Sequence, residues 1–311
     1  MSDSTVQVES FVGIEVSNTA LTAVCLDGNG VITGNQTMAV DFREPSSKQI
    51  ISFIEQLKSS FGPFRRVGVA VPGLVARGGK SVAFSAHIPE HSGLDLAGEI
   101  ESATDTLAYI ENDANAAAYG EFRLGAGRGG TDLFYATLGA GVGGAFIFGG
   151  EIWRGAAGFA GEFGYVPINS EGIRLEEVAS AANIIRRTRN RFHQDNTSSL
   201  IELDENAITI ADIVAAAEDE DDFAKLMLER TGTYVGTAIA SVINLLNIQK
   251  IIIGGEVMGT KHIVLDAITA RARELSFGPS FEATEILAGE LGSNASAAGA
   301  ALLAARAENL I

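Results

Sequence analysis

The chain has 311 residues, 46% of them hydrophobic and 20% charged, with 36 glycines, a composition that suits two medium α/β domains and excludes a disordered or fibrous protein. Its 22 Lys+Arg against 39 Asp+Glu leave a formal charge of -17, which repels a nucleic-acid backbone or an anionic membrane, so neither is an expected partner. One cysteine, Cys25, excludes an internal disulfide and a cysteine-rich metal site.

The opening MSDSTVQVES is polar and acidic and lacks the basic start and apolar stretch of a signal peptide. No run reaches the length of a membrane span, so a cytoplasmic location is expected. From Phe11 the chain reads as three strands, FVGIEV, LTAVCLD and VITGNQTMAV, with Asp27-Gly28-Asn29-Gly30 supplying the positive-φ residues of a tight hairpin. Helical spacing in SSKQIISFIEQLKSSF is followed by the strand RVGVAVPG, a hairpin around VARGGKSVAF, a helix near LDLAGEIESA and the strand LAYIEN. A helix then begins in ANAAAYGEFRLG, where Asn112 or Asp113 can cap the first turn.

The segment TDLFYATLGAGVGGAFIFGGEIWRG repeats the strand, turn, strand, turn, strand opening, which suggests a duplicated unit. Helices follow in EEVASAANIIRRTRNRF and ITIADIVAAAEDEDDFAKLMLERTGTYVGTAIASVINLLN, where Glu218 to Asp222 reads as a solvated junction. The strand KIIIGGEV, a helix, TEILAGELG and the Ala-rich helix SAAGAALLAARAENL complete the chain.

Candidate chemistry gathers where strands end: Glu15 to Thr19, Glu111 to Asn115, Gly139 to Gly144, and Gly254-Gly255. TLGAGVGG, from Thr137, can bring backbone N–H groups close to a polyphosphate. Asp113 is placed to accept a proton from a substrate hydroxyl while Asn112 orients the same molecule, the alternative being a plain helix cap. Glu162 in AGEFGY and Glu176 in RLEEV add carboxylates suited to adjacent sugar hydroxyls, or are surface charges.

Taken together, VGVAVPGLV, YIENDANAAAYGE, TLGAGVGGAFIFGGEIWRGAAGFAGEFGY, IIIGGEV and ASAAGAALLA resemble the sugar kinases of the repressor, open-reading-frame and kinase (ROK) family, in the family's order and over almost the whole chain. The resemblance implies a two-domain actin-like ATPase fold of the ribonuclease H-like type, with domains at 1–113 plus 296–311 and at 114–295. It implies ATP, Mg²⁺ and a hexose as ligands, no nucleic acid, and a homodimer. By the same match Asp113 is the general base, and Gly73, Asn112, Glu162 and Glu176 are sugar contacts. Thr137, Gly139, Gly141, Gly143 and Gly144 match the second phosphate loop, and Gly254 and Gly255 the adenosine contact.

Three departures from that pattern bear on function. The family's first phosphate motif, Asp-x-Gly-Gly-Thr-Lys, reads here Glu15-Val16-Ser17-Asn18-Thr19-Ala20. Of it only Thr19 is unchanged: Glu15 still suits a hydrated Mg²⁺, Ser17 and Asn18 add side chains where phosphate approaches the backbone, and Ala20 removes a cation. In the second loop Ala140 stands in place of a threonine. The family's zinc motif has Tyr165 for its histidine and no cysteine in PINSEGIRLE, so no structural zinc is expected. Tyr165 can offer its hydroxyl to the sugar, and His87, in SAHIPEH, stands where many relatives have a sugar-binding Asn. The resulting expectation is ATP-dependent phosphorylation of a hexose or related sugar, the alternative being a non-catalytic sugar-binding or regulatory protein of the same family. A DNA-binding repressor is opposed by the short N-terminus and the acidic charge.

Overall fold

The computed structural model describes residues 10–192 and 197–307. In chain order its strands are β1 (Phe11–Val16), β2 (Ala20–Leu26), β3 (Ile32–Ala39), β4 (Arg66–Val71), β5 (Leu74–Val75), β6 (Val82–Phe84), β7 (Leu107–Asn112), β8 (Leu133–Leu138), β9 (Val142–Phe148), β10 (Glu151–Trp153), β11 (Lys250–Gly254) and β12 (Glu285–Ala288). Its helices are α1 (Ser46–Phe61), α2 (Leu96–Thr104), α3 (Asp113–Leu124), α4 (Glu176–Ala179), α5 (Ala181–Phe192), α6 (Ile210–Glu218), α7 (Asp222–Leu246), α8 (Lys261–Leu275), α9 (Gly278–Glu282) and α10 (Ala295–Arg306).

The chain divides into one unit of Met1–Gly125, Arg154–Phe159 and Asn294–Ile311, and a second of Ala126–Trp153 and Ala160–Ser293. Each is built on a five-stranded sheet, in the order β3-β2-β1-β4-β7 and β10-β9-β8-β11-β12. The order is the same in both: an antiparallel meander of three strands, then two strands parallel to the first. The duplication suggested by the two glycine-rich hairpins is therefore present in the topology.

Strand alternation decides how the first unit packs. Val12, Ile14, Val67, Val69 and Val71 are buried with Ile50, Phe53, Ile54 and Leu57 of α1 and Leu96 and Ile100 of α2. The residues between them, Gly13 and Gly68, face α10, whose backbone lies against the sheet. A Cβ on Gly13 would stand 1.9 Å from the carbonyl oxygen of Ala297, and one on Gly68 1.9 Å from that of Ala300. The opposite side of α10 meets α3, where a Cβ on Gly299 would lie 1.7 Å from the carbonyl oxygen of Ala116. The small residues of ASAAGAALLAA thus let one helix be buried on two sides, and they bind α3 into the first unit. The first unit accordingly runs to Gly125, the residue after α3.

In the second unit Phe134, Ala136 and Leu138 of β8 and Ile251 and Ile253 of β11 share a core with α6, α7 and α8, through residues such as Ile213, Met227, Val235, Ile239, Val264 and Ile268. The junction at Glu218 to Asp222 breaks the helices as expected, with Glu220 at φ 67. The helix expected from EEVAS onward is instead two, because Ser180 is extended at ψ 153 and its hydroxyl accepts from Asn183 Nδ2 at 2.9 Å. In the Asp27–Gly30 turn only Gly30 has positive φ, at 82. Asp27 holds the rest, its Oδ1 accepting from the N–H groups of Asn29 and Val31 at 2.9 Å each. Among the described residues no helix is long and apolar enough to cross a membrane.

Candidate functional site

Several candidates stand at or just beyond the carboxyl ends of parallel strands: Glu15 on β1, Gly73 after β4, Glu111 to Asp113 around the end of β7, Gly139 after β8, and Gly254-Gly255 at the end of β11. In the first unit Glu15 is in register with Ala70, and Ala70 with Glu111; Asn112 follows opposite Val71. A small alanine therefore separates two carboxylates across three adjacent strands.

Asn112 is the N-cap of α3: its Oδ1 accepts from the Asn115 N–H at 3.0 Å. The cap thus falls on Asn112, and Asp113 is the first helical residue. Asn112 Nδ2 donates to the Gly73 carbonyl and to Asp113 Oδ1, both at 2.9 Å, while the Ala114 N–H donates to the same Asp113 oxygen at 2.9 Å. Burial pushes the Asp113 pKa up, partly offset by the Ala114 N–H, the charge of His87 and the Asn112 amide. His87 itself is exposed. Gly73 has φ 133, and a Cβ there would meet the Phe84 carbonyl oxygen at 2.5 Å, so the turn that offers its carbonyl to Asn112 requires glycine.

Glu15 is half-buried, and its pKa is raised to about 7, first by burial and then by the neighbouring Asp113 charge, against a hydrogen bond from Ser296 at the start of α10. The turn beyond it is closed on itself. Ser17 Oγ accepts from the N–H groups of Thr19 and Ala20 at 3.4 and 3.1 Å and donates to the Ala20 carbonyl at 2.9 Å. Asn18 and Thr19 are exposed.

In the second unit the equivalent turn, between β8 and β9, is open. Gly139 N–H donates to Gly141 O at 3.0 Å and the Gly139 carbonyl accepts from Ala181 at 2.8 Å. No described residue accepts from the Ala140 or Gly141 N–H groups. Thr137, Gly139, Gly141 and Gly143 are half-buried along this stretch. Gly144 differs: a Cβ there would meet Phe163 at 2.8 Å, so it serves the packing of the 161–165 segment. Gly254 is in register with Thr137, and Gly255, at φ 96, lies against the Leu138 backbone. Glu176 accepts from the Val142 N–H at 2.9 Å through Oε2. Glu162 is exposed. Tyr165 is 58% exposed, with the Arg174 guanidinium 4.5 Å from its ring centre. Among the described residues no group of three His, Cys, Asp or Glu side chains is placed to hold a metal.

The ROK family pattern matches residues 11–307, nearly the whole chain. The chain belongs to the ROK family. The glucokinase of Halalkalibacterium halodurans is 28% identical over 294 residues, 91% of this chain and 86% of its own. The xylose repressor of Bacillus subtilis is 26% identical over 302 residues, 93% of this chain and 75% of its own. A ROK family glucokinase from Streptomyces griseus, solved in complex with glucose and AMPPNP, matches with a TM-score of 0.85 at 28% identity, covering 96% of this chain and 99% of that one. The fold is the actin-like ATPase fold of the ROK glucokinases, and the relatives include both kinases and repressors.

Within this ROK chain, Arg154 and Arg77, not singled out from the sequence, hold the site in place through Glu111 and the 154–159 segment. Glu111 is 2% exposed; it accepts from the Asn112 N–H at 3.0 Å and from Asn115 Nδ2 at 3.1 Å, and it pairs with Arg154. Arg77 fastens the same 154–159 segment by donating to the carbonyls of Gly155 and Ala156 at 2.7 and 2.9 Å. A buried carboxylate at the end of a strand was visible in ENDAN, but its partner lies 43 residues away. Glu111→Ala is expected to lower the unfolding free energy in urea by roughly 3 kcal/mol, because it removes the ion pair with Arg154 together with the acceptor of the Asn112 N–H and the buried Asn115 amide. In a double-mutant cycle with Arg154→Met the two losses should not add. Additive losses would mean that the pair contributes no coupling.

Proposed function

We propose that this ROK protein transfers the γ-phosphoryl group of ATP to a hydroxyl of a hexose or related sugar, with Asp113 as general base. The observation that carries this is the orientation of Asp113. Its hydrogen bonds from Asn112 and Ala114 both end on Oδ1, which leaves Oδ2 to accept a proton, and burial raises its basicity. The sugar O–H gives its proton to Oδ2 as its oxygen bonds to phosphorus, and the bridging P–O bond breaks to release ADP. Asn112 orients the same hydroxyl, with Gly73, His87, Glu162, Tyr165 and Glu176 as further sugar contacts.

The residues present fit the nucleotide unevenly. The open N–H groups of Ala140 and Gly141, with glycines at 139, 141 and 143, suit phosphate oxygens, and Gly254 and Gly255 suit the adenosine. The carboxylate of Glu15 beside Asp113 suits a hydrated Mg²⁺. When bound, Mg·ATP supplies the phosphoryl group and the cation that offsets its charge.

A non-catalytic sugar-binding role is favoured by two other observations. Ser17 Oγ occupies the N–H groups of Thr19 and Ala20. Glu256, whose pKa is raised by burial, has its carboxylate near Gly139, 3.7 Å from where a Cβ would stand, so an acidic group borders the open turn. Phosphate transfer from Mg·ATP to a panel of hexoses and amino sugars decides the matter: sugar-dependent ADP release supports the kinase, whereas sugar binding without turnover supports the regulator. Ser17→Gly frees two N–H donors and is expected to tighten Mg·ATP binding by roughly tenfold in calorimetry. An unchanged affinity would mean that the first turn does not meet phosphate.

A further inference from the structure

Ser85, the first residue beyond β6, is 1% exposed, and its hydroxyl both donates and accepts. It donates to the Pro72 carbonyl at 2.6 Å, across 13 residues of chain, and accepts from the Ile88 N–H at 3.1 Å. The backbone of the same residue is held by Ser92, whose Oγ accepts from the Ser85 N–H at 2.9 Å and donates to the Ser85 carbonyl at 3.3 Å. One buried hydroxyl therefore ties the 85–92 loop, which carries His87, to the turn between β4 and β5. The two also meet closely: a Cβ on Gly73 would stand 2.9 Å from Ser85 Cβ and 3.0 Å from Ser85 Cα. The far end of the loop is fixed separately, by the Ser46 N–H donating to Glu90 Oε1 at 2.6 Å and the Gly93 N–H donating to the Val82 carbonyl at 2.8 Å.

The turn held by Ser85 is the one that orients Asn112. Asn112 Nδ2 donates to the Gly73 carbonyl and to Asp113 Oδ1, at 2.9 Å each, and the Gly73 carbonyl lies one residue beyond the carbonyl that Ser85 holds. Glycine at φ 133 leaves the backbone there free to rotate, so the bond from Ser85 to Pro72 is what fixes the direction of the turn. Removal of the hydroxyl leaves the Pro72 carbonyl and the Ile88 N–H each short of a partner, and the turn must shift to regain one. The Asn112 amide then loses the acceptor that sets its angle, and Asp113 Oδ1 loses a fixed donor. We propose that Ser85 is a positioning residue for the sugar hydroxyl, acting through the Pro72-Gly73 turn on Asn112 and Asp113 while it fastens the loop that carries His87. The effect on turnover rests on the kinase reading; the link from Ser85 to Asn112 lies wholly within the first unit and is measured without substrate.

The test compares the intact chain with Ser85→Ala and with Ser85→Thr, which keeps the hydroxyl. The first readout is hydrogen exchange of the Asn112 side-chain amide by NMR in the ligand-free protein, expected to quicken by roughly tenfold or more in Ser85→Ala and to return toward wild type in Ser85→Thr. The second is turnover of Mg·ATP with the sugar that the panel selects: in Ser85→Ala kcat falls roughly tenfold and KM rises with it, and Ser85→Thr restores both to within a few-fold. Circular dichroism checks that the variants fold. Ser85→Cys, which matches the shape of serine with a weak donor, takes the place of Ser85→Ala if the latter does not fold, with the same expected losses. Exchange unchanged in Ser85→Ala overturns the link to Asn112, and faster exchange with wild-type kcat and KM overturns the positioning role. A wild-type chain that binds sugar without turning it over defeats the kinase reading alone; sugar affinity then replaces KM, and an affinity unchanged in Ser85→Ala overturns the proposal.

Discussion

Asp113→Asn is expected to reduce sugar-dependent phosphate transfer by roughly 10²–10⁴-fold while sugar affinity stays within a few-fold, because it removes only the proton acceptor. Asn keeps the shape, and its side-chain oxygen can still accept from Asn112 Nδ2 and the Ala114 N–H, which hold Asp113 Oδ1 at 2.9 Å each. A drop in kcat with KM nearly constant is thus the signature of a base, and loss of both together would mark a positioning residue. The pH profile supplies the second readout. A base must be ionised, so kcat/KM rises with pH through the pKa of Asp113, and burial places that rise above the ordinary aspartate range. Glu15, raised to about 7, is charged against Asp113, so the two titrate as a coupled pair and the rising limb extends toward neutrality. Glu15→Gln removes the group raised to about 7 and should take the part of the limb nearest neutrality with it. A variant whose limb stays put would separate the two carboxylates, and wild-type turnover in Asp113→Asn would end the base assignment.

What could be read from the sequence was whatever is encoded locally. The helix Ser46–Phe61 and the strands from Phe11 to Ala39 follow from spacing alone, and the paired sheets follow from two similar hairpins. Asn112 and Asp113 were visible as neighbours, but which of them caps α3 depends on a 3.0 Å bond to Asn115 that only the folded turn defines. The Ser17 turn shows why the first loop was harder to read. A serine in place of glycine is a letter change, whereas its consequence, a hydroxyl held by two amides, is set by the hairpin geometry. Contacts across long sequence separations left no local trace, such as Glu111 with Arg154, Gly139 with Glu256, and Arg187 with Thr231. The same is true of α10, which reads as a plain small-residue helix until Gly13, Gly68 and Gly120 are brought against it.

That helix gives the largest expected effect on folding. Gly299→Val should abolish the cooperative unfolding transition or lower stability by more than about 4 kcal/mol, a large part of the ~5–15 kcal/mol that holds a typical domain. Its Cβ would lie 1.7 Å from Ala116 O, 2.6 Å from Ala116 C and 2.8 Å from Gly120 N. All three are backbone atoms of α3, so no rotamer change relieves the overlap. Nor can α10 retreat, since its Ala297 and Ala300 carbonyl oxygens already lie 1.9 Å from where Cβ atoms on Gly13 and Gly68 would stand. Gly28→Ala is the control: nothing lies within 4 Å of that Cβ, so its urea midpoint should stay close to wild type. Gly299→Ala, which adds the Cβ alone, should fall between the two. Because Ser296 on α10 donates to Glu15, any folded fraction of Gly299→Ala should also show a displaced pH limb in turnover. A Gly299→Ala protein with the wild-type midpoint and pH profile would mean that α10 can shift without cost, and that the close approach of helix to sheet and to α3 does not set the Glu15 environment.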